Sequence, residues 1–293
     1  MALFFTQLFV GIQNGVVYAS LAVALVLIFR STGILNFAQG EMALFSTYIV
    51  WKFTTTGMPV WLAILLAMVI SFVGGAVIER VVIRPVEQSS PLVVVIVTIG
   101  MFLAINSLAQ LAFGSDQQVL PSAYPQHTWR PGGVLISSDT LVLVGVLAAE
   151  CVLLYFLLQR TKLGLAFRGV ASNAESSRLL GVPVGRVLMI GWGLAAAVGA
   201  LAGALVIPTT PALVPSSMQE ILVFAFSAAA LGGFDSVLGA VVGGLVVGIA
   251  DAITTGYVHT LQGIDLLVPF GLILLVLLFR PAGLFGTTTV ERV

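Results

Sequence analysis

The sequence predicts an all-α polytopic membrane protein of about nine spans. Three observations lead there. The 293 residues are 59% hydrophobic and only 8% charged, with a mean hydropathy of +1.13. Soluble domains average about 25% charged residues; lipid is the solvent that suits this composition, because a charge in hydrocarbon is costly. The apolar residues come in long runs, unlike the short alternating segments of a membrane β-barrel. Finally, Lys and Arg fall almost entirely in alternate loops once the runs are threaded through a bilayer. A formal net charge of zero leaves no electrostatic case for nucleic acid.

A span needs about 20 mostly apolar residues. The runs at 6–29, 36–53, 58–78, 91–113, 140–159, 186–206, 219–233, 237–255 and 264–279 meet or approach this. The first has no cation ahead of it, so it reads as a retained span rather than a cleaved signal. Only "GFDS" separates the seventh and eighth. A re-entrant segment within 219–255 would reduce the count to eight. With the N-terminus outside and the C-terminus cytoplasmic, ten cations lie inside: Arg30, Arg80, Arg84, Arg160, Lys162, Arg168, Arg178, Arg186, Arg280 and Arg292. Lys52 and Arg130 alone lie outside.

Between the first two runs, "GILNFAQGEM" brings Asn36, Gln39 and Glu41 to the entrance of a span. On a helix Asn36, Gln39 and Gly40 share a face, and Glu41 points about 100° away. Such residues either line a water-filled passage or gate, or cap the second span and tie it to the first. Gly11 and Gly15, Gly199 and Gly203, and the overlapping pairs Gly239/Gly243 and Gly244/Gly248 have the spacing that lets helix backbones approach closely. Packing within one chain is the simpler reading. Cys151 reads as a small core hydrophobe. His127 and His259 lack ligand spacing, so no metal is expected. Glu150 and Asp251 fall within apolar spans and mark either functional groups or hydrogen bonds between helices.

Two loops stand out. Residues 114–139 form the longest outer loop. The inner loop, 160–186, contains Ser172-Asn173-Ala174-Glu175, which matches a capping box. Gly181 supplies a left-handed stop and Pro183 blocks continuation. A two-turn helix over 173–180 follows. It is too short to stand alone, and Leu179 and Leu180 beside Glu175 and Arg178 suit either a solvated surface helix or a docking face. In "ALGGFDSVLGA", Gly232 and Gly233 break a helix and Asp235-Ser236 cap the next; this turn either touches a partner or is purely structural.

The stretches "GVVYASLAVALVLIFRSTGILNFAQGEMALFSTY", "NAESSRLLGVPVGRVLMIGWGLAAAVGALAGAL", "FSAAALGGFDSVLGAVVGGLVVGIADA" and "LLFRPAGLFG" resemble the permeases of branched-chain amino-acid ABC importers, the LivH type. The likeness extends over nearly the whole chain and is weakest at 114–139. It implies one transmembrane domain over 1–293 with the fold of type II-like importers. Its inverted-repeat-like halves would be 1–113 and 186–293, and 160–186 its coupling loop. The family's coupling helix maps onto Ser172, Asn173, Glu175, Arg178, Leu179, Leu180 and Gly181. The resemblance also implies a second permease (LivM-like), two cytoplasmic ATPases (LivG- and LivF-like) that hold ATP and Mg, and an extracytoplasmic solute-binding protein. The location would be the inner membrane and the cargo branched-chain or other hydrophobic amino acids. This chain has two lysines, neither ending a G-x-x-x-x-G-K-[ST] motif, so it is not its own ATPase and binds no cofactor directly. Urea or short-amide permeases are the alternative, a self-contained secondary transporter a more remote one. No cluster of nucleophile, base and metal ligands supports an enzyme.

Overall fold

A computed structural model describes residues 1–258, 264 and 266–286. Among these the chain is helical: α1 (Ala2–Thr32), α2 (Gln39–Thr55), α3 (Val60–Ile78), α4 (Pro91–Phe113), α5 (Ser138–Arg160), α6 (Lys162–Ser172), α7 (Ala174–Leu179), α8 (Val184–Val206), α9 (Ser217–Gly232), α10 (Val237–Tyr257) and α11 (Leu267–Phe279). In the long predicted outer loop, β1 (Thr128–Trp129) pairs antiparallel with β2 (Ile136–Ser137). All helices but α6 and α7 coincide with predicted spans. His259, Arg292 and residue 265 of the last predicted span lie outside the described residues.

Six helices among the described residues are long and apolar enough to cross a membrane. They are α1, α3 with its continuation to Val86, α4, α5, α8 with its continuation to Thr209, and α10. Their exposed side chains are large aliphatics such as Leu65, Val69, Leu103 and Leu153. Such a surface belongs against lipid tails, which are as apolar as leucine. The others are shorter. At about 1.5 Å per residue α11 rises roughly 20 Å, against a hydrocarbon core of about 30 Å.

The chain divides into two compact units. One comprises Met1–Val26, Pro125–Leu147 and Glu220–Val293. Within it, α1 lies directly on α10. A Cβ built on Gly11 would sit 2.6 Å from Ile249 Cα, and one on Gly244 2.6 Å from Ala19 Cα. Gly243 abuts the Ala228 backbone of α9. Tyr18 stacks on Phe224 at 4.4 Å between ring centroids, and Ser227 Oγ donates to the Pro269 carbonyl at 3.0 Å. The paired glycines therefore act in packing within one chain.

The second unit comprises Leu27–Tyr124 and Ala148–Gln219, with α8 at its centre. Rich in Ala and Gly, α8 is buried along most of its length. A Cβ on Gly193 would lie 2.8 Å from the Phe72 carbonyl of α3, and one on Gly199 2.8 Å from Gln39 Nε2 of α2. On α3, Gly75 returns the approach toward the Trp192 carbonyl at 2.5 Å. Between α2 and α3, Ser71 Oγ donates to Ser46 Oγ at 2.6 Å. Beyond Ile78 the α3 backbone loosens into a π-helical turn, Glu79–Ile83, then a 3-10 turn, Arg84–Val86. Pro85 explains the loosening, since it lacks an N–H and its ring crowds the carbonyl four residues earlier.

Gly244→Val should destabilise the protein by about 2 kcal/mol or more, because the backbone of α1 leaves no room for a side chain. Gly100→Ala, where an added Cβ meets nothing within 4 Å, should stay within about 1 kcal/mol of the parent. Thermal unfolding of detergent-purified protein checks this contrast.

Candidate functional site

The polar stretch between α1 and α2 lies at depth. Asn36, Gln39 and Glu41 are each fully buried, and Gly40 is buried with them. Asn36 Oδ1 accepts from the Ala38 amide at 3.1 Å, and its Nδ2 donates to Gln39 Oε1 at 3.2 Å. Gln39 Nε2 donates to the Ala195 carbonyl at 3.0 Å. Ala195 is halfway along α8, so α2 begins beside the middle of a membrane-length helix. Irregular backbone is tolerated at such depth only when protein or a water-filled cavity encloses it. Asn36 satisfies one amide of that broken backbone, and its bond to Gln39 continues into a tie from α2 to α8.

Glu41 turns away from this pair, as its place on the helix predicts. Its carboxylate accepts from Asn106 Nδ2 at 2.8 Å and Gln219 Nε2 at 3.2 Å. Asn106 also donates to the Pro215 carbonyl at 2.7 Å and accepts from Gln110 at 2.6 Å. Gln110 in turn accepts from Ser115 Oγ at 3.2 Å. A string of polar groups thus runs along α4 from a buried carboxylate to an exposed amide. Asn106 and Gln110 are spaced i, i+4 in a helix otherwise almost wholly apolar, which was the available sequence signal.

The predicted inner loop holds two helices rather than one. Thr161 Oγ1 caps α6 by accepting from the Gly164 amide at 3.1 Å. Gly164, Phe167 and Val170 form its buried face, and Arg168 donates to the Leu158 carbonyl at 2.7 Å. The capping-box assignment needs correction. Ser172 is the last residue of α6, so its amide belongs to that helix. Asn173, in extended conformation, caps α7 instead: its Oδ1 accepts from the Ser176 amide at 2.7 Å.

The other end of α7 follows the sequence closely. Gly181 adopts φ +82°. Its amide donates to Arg178 O and that of Val182 to Ser177 O, both at 3.0 Å, the paired bonds of a Schellman stop. Between cap and stop, Leu179 and Leu180 are 86% and 85% exposed. Ser177 is turned inward and buried.

Beside α7 is a cavity of 460 Å³, lined by residues including Thr32, Glu79, Glu87, Glu175, Arg178 and Val184. Arg178 stands 4.0 Å from Glu87. The sequence places Arg84 only among the inner cations and gives no sign of Glu79 or Glu87 as its neighbours. Glu79 is fully buried, and its carboxylate accepts from Arg84 Nη2 at 2.7 Å and Nε at 3.2 Å. The pair is spaced i, i+5, which an α-helix does not bring together; the π-helical turn does.

At the second break, Gly233 takes φ +102°. Ser236 rather than Asp235 caps α10, accepting from the Gly239 amide at 2.9 Å. Gly232 abuts the Gly239 backbone, and Gly233 faces Gly286. The Leu284 and Phe285 amides donate to the Leu231 and Gly232 carbonyls at 2.8 and 3.0 Å, so the closing "RPAGLFG" segment clasps this turn.

A family model described as the permease component of branched-chain amino acid transport systems matches residues 8–277. The chain is 31% identical, over 99% of its length and 98% of the relative's, to the high-affinity branched-chain amino acid transport system permease protein LivH of Escherichia coli K12. It is 30% identical to the corresponding permease protein BraD of Pseudomonas aeruginosa, covering 98% of this chain and 97% of that one. Identity to a probable branched-chain amino acid transport permease LivH of Methanocaldococcus jannaschii is 25%, over 94% and 91% of the two chains.

Asn106→Leu should destabilise the protein by about 1–3 kcal/mol, because it strips a hydrogen bond from the buried Glu41 carboxylate and leaves the Pro215 carbonyl without that donor. Gln110→Leu, at the exposed end of the string, should shift stability by less than about 0.5 kcal/mol. Equal shifts in the unfolding midpoints of the two variants would refute this ordering.

Proposed function

The chain belongs to the family of permease components of branched-chain amino acid transport systems, and from that membership we propose how its parts divide the work. It is a multi-pass membrane permease of an ABC importer for branched-chain amino acids. In the proposed arrangement the chain crosses the inner membrane nine times, at the segments that hold α1 to α5 and α8 to α11, with the N-terminus outside and the C-terminus in the cytoplasm. The segregation of cations between alternate loops supports this orientation. A second permease completes the pathway, two cytoplasmic ATPases supply the energy, and a solute-binding protein delivers cargo to the outer face.

The observation that carries the reading is α7. Alone, a helix of this length would be unstable. Here it is held at both ends while Leu179 and Leu180 project into the open. Adjacent exposed leucines on a braced helix outside the apolar spans suit a cleft in a partner protein. We assign that partner as an ATPase subunit, which makes α7 the element that receives the motor's stroke. Ser172 supports α7 from the end of α6. Gly232, Gly233 and Asp235 form a structural turn.

In the outer leg of the cycle, solute enters between the two permeases. Glu41 is nearest this path, because its hydrogen-bonded string reaches an exposed amide. Asn36, Gln39 and Gly40, buried at the start of α2, act on the gate through the bond of Gln39 to Ala195 of α8.

The test is the Leu179→Asp/Leu180→Asp variant in the assembled importer. Co-purification of the ATPase subunits and leucine uptake should both fall about tenfold or more, as for removal of an interface anchor. Membrane insertion should be unchanged, and a thiol at Ser176→Cys should react with an impermeant reagent only from the cytoplasmic side. Labelling from the outside in intact cells would refute the orientation; unchanged ATPase binding would refute the role of α7.

A further inference from the structure

Arg84 reaches across a long stretch of sequence. Besides its two bonds to Glu79, its Nη2 donates to the Gly185 carbonyl at 2.6 Å. Glu79 lies in the π-helical turn that continues α3, and Gly185 lies in the first turn of α8. Only Val182 and Pro183 separate the Gly181 stop of α7 from α8. The guanidinium is thus fastened on one side to α3 and on the other to the backbone that leads directly out of α7.

We propose that Arg84 is a positioning residue for energy coupling: it locks the first turn of α8 to the end of α3, so that displacement of α7 moves both helices as one body. This rests on α7 being the ATPase contact.

Three features support a mechanical role over a purely local ion pair. The contact is specific in shape, since a planar fork takes a buried carboxylate on two nitrogens, a geometry a lysine cannot reproduce. Gly185 has no side chain to hold the guanidinium off its carbonyl. A Cβ there would lie 2.9 Å from both Cζ and Nη2 of Arg84. The consequences also reach further than the bond. From the end of α3 the chain continues into the Gly75–Trp192 and Phe72–Gly193 contacts with α8, and through Ser71 into α2. A push delivered at α7 therefore enters the packed α2–α3–α8 group at two points rather than through the α7–α8 connection alone. The adjoining cavity, between α7 and the Glu79–Glu87 segment, leaves α7 room to move, and the Arg178–Glu87 approach at 4.0 Å is too loose to prevent it.

The experiment uses the complete importer in proteoliposomes and reads ATP hydrolysed per leucine imported, together with ATPase-subunit co-purification. Gly185→Ala keeps every charge and displaces only the flexible end of Arg84, so it is the principal variant. Glu79→Gln/Arg84→Gln removes both charges together and strands neither. For both, ATPase subunits should remain bound and hydrolysis should continue. The ATP-to-leucine ratio should rise about fivefold, within the range seen when a coupling residue is altered. Arg84→Lys, which keeps one charge-assisted bond, should fall between these variants and the parent.

A parental ratio in Gly185→Ala and in the double variant would overturn the proposal, even if less protein accumulated, because the ratio is independent of amount. Loss of ATPase-subunit binding, or failure of every variant to accumulate, would also overturn it by making Arg84 a folding element. The underlying reading fails separately: if Leu179→Asp/Leu180→Asp kept its ATPase subunits and a parental ratio, α7 would not be the contact, whatever Gly185→Ala did.

Discussion

The close approach of α8 to α2 and α3 is the constraint on which the second unit depends. Between helices in lipid there is no hydrophobic drive to associate, so contact must come from dispersion at short range and from hydrogen bonds between helices. Both need backbones nearer than ordinary side chains permit. Gly193, Gly199 and Gly203 on α8 and Gly75 on α3 provide that distance. Where the glycines admit them, polar groups of neighbouring helices reach one another: Gln39 finds the Ala195 carbonyl, and Ser71 finds Ser46. The same economy appears in the other unit, where α1 and α10 meet through Gly11, Gly15, Gly244 and Gly248.

This packing also permits a break in the helical path at depth. The chain leaves α1, turns through residues 33–38 and re-enters as α2 beside the midpoint of α8. Exposed to lipid, the loose amides of such a turn would each cost several kcal/mol. Asn36 Oδ1 and Thr32 Oγ1 supply partners to the Ala38 and Ile34 amides, and the surrounding helices exclude lipid. The short length of α2 follows: a helix that starts partway across needs fewer residues to finish.

Around the two-helix loop the emphasis is different. Here α6 is pinned to the end of α5, and α7 is capped on one side and stopped on the other. Its outward leucines are free, and a cavity lies behind it. Fixed ends with an open flank suit the coupling role proposed for α7. The π-helical turn serves this arrangement, since it aims Glu79 and Arg84 at each other and so at the first turn of α8.

Much of this was determined by the sequence alone. The apolar helices, the Gly181 stop and the polar cluster of Asn36, Gln39 and Glu41 between two apolar helices follow from local preferences. Partition between water and lipid and the chemistry of helix ends act over a few turns, so a short window records them. What only the tertiary structure decided were the partners. Glu41 meets Asn106 and Gln219, 65 and 178 residues away, and Arg84 meets a carbonyl 101 residues away. The shift of the α7 cap from Ser172 to Asn173 belongs here too, because it depends on α6 continuing through Ser172 while Phe167 packs against α8. A buried polar group specifies that it must be satisfied, but which distant group satisfies it is set by how closely the helices that carry them can pack.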